Sequence, residues 1–280
     1  MTEKAAQEPS TLERAKRVRV HHLAAAKAEG TRITVLTAYD KVTATIFDAA
    51  GVDVLLVGDS IGNTMLGHET TIPVTVDEMI PPARAVARAA DRALVVTDLP
   101  FGSYEASPAQ AFATAARLVK ETGTHAVKLE GGQRVAAQVR LLSESGIPVV
   151  GHLGFTPQSE NALGGKRVQG RGDEAAERIV ADAVALQEAG AVAVVLEMVP
   201  SPVAAQVTEV LRVPTIGIGA GPDCDGQVLV WTDMAGMTSW SPSFARRFGD
   251  VGAALGTATT SYVEAVRTGA YPDAEHSFAR

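Results

Sequence analysis

The sequence has little of the residues that proteins use for cross-linking, for ring stacking or for attraction to polyanions. Cys224 is its only cysteine, so no disulfide can form within the chain, and a reducing compartment is expected. Aromatic residues make up 5% of a chain that is 46% hydrophobic, so aliphatic side chains must build the core. A formal net charge of −7 argues against binding to nucleic acid or to anionic membranes.

Long hydrophobic stretches are also missing. No apolar run approaches the roughly 18 residues of a membrane span, and the charged start of the chain lacks the apolar core of a secretory signal. We therefore predict a cytoplasmic protein that binds neither nucleic acid nor membrane. The 280 residues suit one large domain, so we predict a single domain over 1–280, with 1–10 as a flexible tail.

Eight short apolar runs rich in β-branched residues alternate with helical stretches. Each run is nearly continuous in hydrophobicity, as is typical of strands buried on both faces. The predicted strands are 33–40, 53–60, 93–100, 126–132, 148–154, 193–200, 214–221 and 227–233. Eight parallel strands with right-handed connections predict a (β/α)₈ TIM-type barrel. An open, doubly wound sheet is the alternative architecture.

The helical stretches have recognisable ends. Ser107, followed by proline, is a typical N-cap, and Gly123 ends the same helix. Ser201, again followed by proline, repeats the pattern, and an Ala- and Glu-rich helix over 171–189 is ended by Gly190.

Two connections depart from the ideal barrel. The segment around 222–226, between the seventh and eighth strands, is too short for a crossover helix. Residues 11–30 predict an extra N-terminal helix, placed to plug the N-terminal mouth of the barrel.

Charged side chains stand where the predicted strands end. They are Asp59, Asp98, Lys128, Glu130, His152 and Glu197. All strands of a parallel barrel end at one face, where active sites are built. Four carboxylates there would repel each other unless a cation lay among them, and Mg²⁺ accepts such oxygen ligands. Each acid taken alone could instead be a helix N-cap or a solvated loop residue.

Several features keep more than one interpretation. Lys128 and Glu130 share one strand face, so they form either a structural ion pair or a pair that steadies a substrate carboxylate and holds a metal through water. His152 is either a hydrogen-bonded core residue or a substrate contact. Glycine-rich residues 217–221 either bind phosphate or allow close packing. The basic segment 161–172 is a mobile lid, an oligomer contact or a surface loop.

Five segments carry a family resemblance, and they are VGDSIGNTMLGHETTIPVTVDEMI, DLPFGSYEASP, AVKLEGG, GHLGFTPQS and GIGAGPDCDGQVLVWTDMAGM. In their order, and with YPDAEHSF near the C-terminus, they resemble the ketopantoate hydroxymethyltransferase (3-methyl-2-oxobutanoate hydroxymethyltransferase) family from about residue 31 onward. The resemblance implies a (β/α)₈ barrel, a homo-oligomer that is commonly a decamer, and a role in pantothenate biosynthesis.

The resemblance also implies roles for individual residues. The positions matching metal-site carboxylates, for one Mg²⁺ per subunit, are Asp59, Asp98 and Glu130. The positions matching substrate contacts are Asp59, Ser60, Asp98, Lys128 and His152. Glu197 matches the proposed proton acceptor. Departures from the family pattern, such as Asn63 and Thr64, touch no assigned role.

The implied reaction transfers a hydroxymethyl group from the co-substrate 5,10-methylenetetrahydrofolate to C3 of 3-methyl-2-oxobutanoate, forming 2-dehydropantoate. Mg²⁺ would stabilise the enolate left by loss of the C3 proton, and Glu197, off the metal, would be the base. The nearest rival is a Mg²⁺-dependent C–C lyase or mutase barrel of the isocitrate lyase type. Several such lyases use a cysteine on a mobile loop, whereas Cys224 lies in a polar turn and is predicted to be inert. A metabolite-sensing barrel without catalysis is the rival from another class.

Overall fold

The computed structural model describes residues 9–278. The chain divides into two compact units, Met1–Leu229 and Val230–Arg280. One barrel domain over the whole chain therefore stays a prediction. Of the predicted flexible tail, residues 1–8 lie outside the described residues, whereas Ser10 is the N-cap of the first helix.

The first unit is built around a closed barrel of eight parallel strands, in which each strand pairs with its sequence neighbour and the last pairs with the first. The strands are β1 (Ile33–Thr37), β2 (Val54–Val57), β3 (Leu94–Asp98), β4 (Ala126–Glu130), β5 (Val149–Gly154), β6 (Ala193–Glu197), β7 (Thr215–Ile218) and β8 (Gly226–Leu229). The predicted barrel is confirmed and the open sheet is excluded. The eighth strand ends at Leu229, earlier than predicted, because a helix begins at Trp231.

The helices of this unit are α1 (Thr11–Arg14), α2 (Val20–Glu29), α3 (Lys41–Ala49), α4 (Ile61–Thr64), α5 (Val76–Ala89), α6 (Pro108–Thr122), α7 (Ala136–Glu144), α8 (Glu160–Leu163), α9 (Asp173–Glu188) and α10 (Ser201–Val210), with 3₁₀ turns at Gln133–Val135 and Pro157–Ser159. Ser107 caps α6 by accepting the Gln110 N–H at 3.1 Å, and Gly123 ends α6 in the left-handed conformation. Both predictions are confirmed. Ser201 is the first residue of α10 rather than its cap.

The predicted N-terminal helix is wrong in one respect, because the structure has two helices there. Val18 separates them: its N–H donates to the Arg92 carbonyl at 2.7 Å instead of continuing the helix. The predicted plug is confirmed. Leu23 of α2 is buried and lines a cavity of about 30 Å³ together with inward-facing barrel residues such as Val35 and Val228.

The outer faces of β1 and β8 are less covered than those of the other strands. Thr34 and Gln227 pair in register and are both exposed, and Leu36 and Leu229, the next pair on that face, are partly exposed. Within residues 9–278 no helix lies between β7 and β8, as the short connection predicted.

The second unit contains α11 (Trp231–Ala235) and α12 (Val251–Thr268). None of the residues of α12 is buried, and large apolar side chains such as Leu255 and Tyr262 are more than half exposed. The described helices include none with the length and apolarity needed to cross a membrane.

Candidate active site

The charged residues predicted from the strand ends converge at the carboxyl end of the barrel. Lys128 Nζ lies 3.0 Å from Asp98 Oδ1 and 3.4 Å from His152 Nδ1. His152 continues the chain of contacts, with Nδ1 3.2 Å from Glu130 Oε1 and Nε2 3.3 Å from Glu197 Oε2. Five predicted residues from four adjacent strands therefore form one connected group.

Strand register explains this convergence. Asp98, at the end of β3, is the register partner of Lys128, and Glu130, at the end of β4, is the partner of His152. Gly154 pairs in turn with Glu197. Because neighbouring parallel strands end at the same face, each polar strand end adds its side chain to the same group.

The two aspartates form one side of the site. The backbone N–H of Asp59, two residues after β2, donates to Asp98 Oδ2 at 3.0 Å, and Asp59 Oδ2 accepts from Gln158 Nε2 at 2.8 Å. Burial, reinforced by the charges of Asp98 and Glu130, raises the pKa of Asp59 to about 8. Burial also raises the pKa of Asp98, although Lys128 opposes that shift.

The histidine forms the other side, where charges of opposite sign alternate. Burial and Lys128 act to lower the pKa of His152, but its contacts with Glu130 and Glu197 prevail and raise it to about 9. Burial acts to raise the pKa of Glu130, but His152, Lys128 and the Gln158 N–H hold it below its usual range. At neutral pH His152 is therefore a buried cation between two carboxylates.

The acid groups fit a divalent cation. Within residues 9–278 no three His, Cys, Asp or Glu side chains enclose a metal by themselves, but Mg²⁺ commonly uses one or two carboxylates together with water and substrate. Buried Asp98 Oδ1 and Glu130 Oε1 have no partner in hydrogen-bonding geometry among these residues. The charges of Asp98 and Glu130 help to raise the pKa of Asp59, and a divalent ion bound there would stabilise its charged form.

Comparison with known proteins assigns the chain to a family. The sequence profile described as ketopantoate hydroxymethyltransferase matches residues 17–274. The chain belongs to the ketopantoate hydroxymethyltransferase family. Similar proteins named 3-methyl-2-oxobutanoate hydroxymethyltransferase come from Leifsonia xyli (61% identical, covering 94% of this chain and 95% of the relative) and from Mycobacterium sp. strain KMS (59% identical, covering 98% and 97%). Membership makes the chain a transferase, as predicted.

Two solved structures with a similar fold come from other enzymes. A phosphonopyruvate hydrolase in complex with oxalate and Mg²⁺ gives a TM-score of 0.60 at 14% identity, covering 92% of this chain and 93% of that chain. A 2,3-dimethylmalate lyase of the PEP mutase/isocitrate lyase superfamily gives 0.57 at 17%, covering 93% and 92%. At such low identity these likenesses establish the barrel fold alone.

Hydrogen bonds and close packing constrain the backbone around Glu197, the proton acceptor implied by the family resemblance. The carbonyl of Glu197 accepts the Phe155 N–H at 2.8 Å, and a Cβ on Gly154 would lie 2.1 Å from that oxygen, so only glycine fits there. Met198 follows with a φ of 47°, a left-handed conformation that costs a non-glycine residue about 1–2 kcal/mol. Its carbonyl accepts the Gln169 N–H at 3.0 Å.

The remaining predictions concern loops. Gln169 belongs to the basic segment 161–172, so its hydrogen bond connects that segment to the residue after Glu197. The lid, oligomer-contact and surface-loop interpretations of the segment all stay untested. In 217–221, a Cβ on Gly221 would lie 2.1 Å from Ser201 Oγ, which favours the packing interpretation of that glycine.

Three polar residues at the site were assigned no role from the sequence. Tyr39 OH lies 2.7 Å from Ser60 Oγ, and Tyr104 OH donates to Gln158 Oε1 at 2.6 Å. Tyr104 and Gln158 both stand in segments that carry the family resemblance. Their position in those segments was the one available indication, because a tyrosine or a glutamine has no strand-end signature of its own.

Proposed function

We propose that this enzyme transfers a hydroxymethyl group from 5,10-methylenetetrahydrofolate to 3-methyl-2-oxobutanoate, forming 2-dehydropantoate for pantothenate biosynthesis. Two findings support the proposal: relatives named for this activity are about 60% identical over nearly the whole chain, and the matched residues form one connected, largely buried group. The single observation that carries it is the run of contacts from Asp98 through Lys128 and His152 to Glu197.

Asp59 and Asp98 are the residues that would hold Mg²⁺, and Glu130, whose Oε2 accepts the Gln158 N–H at 3.0 Å, would act on the metal through water. When bound, Mg²⁺ supplies a Lewis acid for the keto and carboxylate oxygens of the oxo-acid. Lys128 balances the negative charge of that substrate. The pKa of Lys128 lies above its usual range because Asp98, Glu130 and Asp59 together outweigh the effect of burial, so it stays cationic throughout.

Glu197 is the base in this proposal. Its side chain is 17% exposed, compared with 1% for Glu130 and 3% for Asp98, so it is the carboxylate of the connected group most open to a ligand. An oxygen of Glu197 would accept the C3 proton of the oxo-acid, and C3 would then form a bond to the one-carbon unit of the folate. Both C–N bonds that hold this carbon to the folate break, and one water supplies the hydroxyl oxygen. Tetrahydrofolate leaves, and its two nitrogens take up the C3 proton and one proton of the water. Cationic His152, 3.3 Å from Glu197, would keep the carboxylate oriented before the transfer.

Mg²⁺-dependent formation of 2-dehydropantoate from both substrates by the purified protein tests the activity. Glu197→Gln tests the base: we expect kcat to fall by about a thousandfold and C3 exchange in D₂O, followed by NMR, to stop. Calorimetry should show that this variant still binds the oxo-acid with Mg²⁺.

Exchange at the wild-type rate in Glu197→Gln would assign the proton transfer to another group. Loss of oxo-acid binding would make Glu197 a binding residue. A sensor barrel would bind the oxo-acid without consuming either substrate, and a lyase would cleave a C–C bond without folate.

We further propose a homo-oligomer, with the decamer implied by the family resemblance as the expected state. Apolar side chains exposed on α3 (Val42 and Ile46) and on α12 (Leu255 and Tyr262) support association. Sedimentation equilibrium of the full chain measures the subunit number, and a monomer at micromolar concentration would contradict the proposal. The cytoplasmic location stays a prediction.

A further inference from the structure

A buried glutamine connects four strand ends at the mouth of the barrel. The backbone N–H of Gln158 donates to Glu130 Oε2 at 3.0 Å, and its Nε2 donates to Asp59 Oδ2 at 2.8 Å and to the Leu99 carbonyl at 2.9 Å. Its Oε1 accepts from Tyr104 OH at 2.6 Å. One residue of the turn after β5 thus contacts the residues that end or follow β2, β3 and β4.

Hydrogen bonding fixes the orientation of this amide. A flipped amide would place Oε1 against Asp59 Oδ2 and the Leu99 carbonyl, so acceptors would face acceptors. Tyr104 OH in turn accepts the Glu130 N–H at 3.1 Å, and its own proton is closer to Gln158 Oε1, at 2.6 Å, than to the Glu130 carbonyl, at 3.2 Å. The amide is therefore held at both ends, and Nε2 is aimed at Asp59.

The two aspartates are held by donors of different charge. Asp98 lies against the ammonium group of Lys128, whereas the carboxylate of Asp59 accepts from the neutral amide of Gln158. A cationic donor would cancel the charge of the carboxylate that it orients. A neutral amide orients Asp59 and adds no positive charge where a cation would bind.

We propose that Gln158 is a positioning residue that holds the Asp59 carboxylate in place as a ligand for a divalent cation. The inference rests on the metal site of the proposed function. Polar residues that orient metal ligands from behind commonly contribute about 10–100-fold to metal affinity. Gln158 acts through Asp59 and not on the substrate.

A purely structural role is the alternative, and the chain offers a matched control for it. Gln138 of α7 is as buried as Gln158, at 5% against 4% exposure. Its Nε2 donates to the backbone carbonyl oxygens of Tyr104 and Glu105, both at 3.4 Å, and neither acceptor is a carboxylate. Replacing either glutamine by methionine removes a buried amide at similar volume, but only Gln158→Met releases Asp59.

Mn²⁺, an oxygen-preferring divalent ion like Mg²⁺, serves as the probe. It is titrated into the full chain without substrate, and the free ion is measured by electron paramagnetic resonance. We expect Gln158→Met to raise the Mn²⁺ Kd by at least about tenfold and Gln138→Met by less than about twofold. Gln158→Asn keeps an amide but withdraws it from Asp59, so its Kd should also rise about tenfold, with less loss of stability. Saturating Mg²⁺ should then restore its kcat to within about threefold of wild type.

The outcomes separate the two proposals. Wild-type protein that binds no Mn²⁺ overturns the metal site and the role of Gln158 together. Wild-type protein that binds Mn²⁺ while Gln158→Asn matches its Kd overturns the positioning role alone. If Gln158→Met does not fold, as judged by circular dichroism, Gln158→Asn decides. A kcat that stays low in Gln158→Asn at saturating Mg²⁺ would also overturn the positioning role. If Gln158 acts only by helping the metal to bind, filling the metal site should restore activity.

Discussion

Strand β2 is flanked by a buried aspartate on each side, and the two differ in their surroundings. Asp53, just before the strand, pairs with Arg92 Nη2 at 2.8 Å and accepts from Thr34 N–H at 3.0 Å and Thr34 Oγ1 at 2.7 Å. Asp59, just after the strand, lies near the charges of Asp98 and Glu130, and the donor to its carboxylate is a neutral amide.

The difference teaches how a buried acid of this barrel can be assigned to structure or to chemistry. Asp225, before β8, follows the pattern of Asp53: Lys27 Nζ lies 2.8 Å away and the Thr215 N–H donates at 2.9 Å. Acids at the start of the strands are thus paired with a cation and hydrogen-bonded. Acids at the carboxyl end outnumber the cations around them, and Asp98 Oδ1 and Glu130 Oε1 touch those cations without hydrogen-bonding geometry. That is an arrangement that a ligand could complete.

Removing an acid from the carboxyl end should affect function most. We expect Asp98→Asn to lower kcat by about a hundredfold or more and to weaken Mn²⁺ binding to a similar extent. The variant should still fold, because Glu130 and Asp59 remain near Lys128 and one repelling charge is gone. Steady-state kinetics over a range of Mg²⁺ concentrations, with circular dichroism as the folding check, measures both effects. Full activity of folded Asp98→Asn at low Mg²⁺ would exclude Asp98 as a ligand.

Removing an acid from the other end should affect stability instead. Asp53→Asn keeps the shape but takes the counter-ion from Arg92, and we expect a loss of about 2 kcal/mol in the free energy of unfolding. That value is below the loss for a fully buried pair because the Arg92 side chain is 21% exposed. Urea unfolding measures the loss, and kcat at 25 °C should stay within about threefold of wild type.

The distinction between acids at the two ends of the strands would fail if Asp98→Asn and Asp53→Asn showed each other's effects. If Asp53→Asn kept wild-type stability but lost much of its kcat, a change at the start of a strand would affect catalysis at the other end of the barrel. In that case cation pairing could not distinguish structural acids from functional ones in this barrel.

The difference between the two ends of the strands was predictable from the sequence, because the direction of a parallel strand decides which of its ends faces the site. Asp53 and Asp59 bracket the same apolar run, and only the barrel architecture separates them. The strands were predictable since each is a short, nearly uniform apolar run. The break between α1 and α2 was not, because it depends on a hydrogen bond between Val18 and Arg92, which are far apart in the chain. The role of Gln158 was not predictable from the strand ends either, because a glutamine in a turn has no strand-end signature, although it stands in a segment that carries the family resemblance.

The smallest effect is expected at Cys224, which tests whether a thiol takes part in the chemistry. Cys224 lies two residues before β8, near the strand starts, and is 1% exposed. Burial raises the pKa of its thiol, and the charges of Asp225 and Asp223 raise it further, so the reactive thiolate is disfavoured. We expect Cys224→Ser to keep kcat within about threefold of wild type and to lose about 1 kcal/mol of stability, since a hydroxyl replaces a buried thiol. The native chain should also react slowly with iodoacetamide until it unfolds. A loss of activity greater than about a hundredfold, or roughly 2.7 kcal/mol of barrier, in a folded Cys224→Ser variant would restore the cysteine-dependent lyase as a rival. It would also mean that chemistry extends to the end of the barrel where the acids are paired.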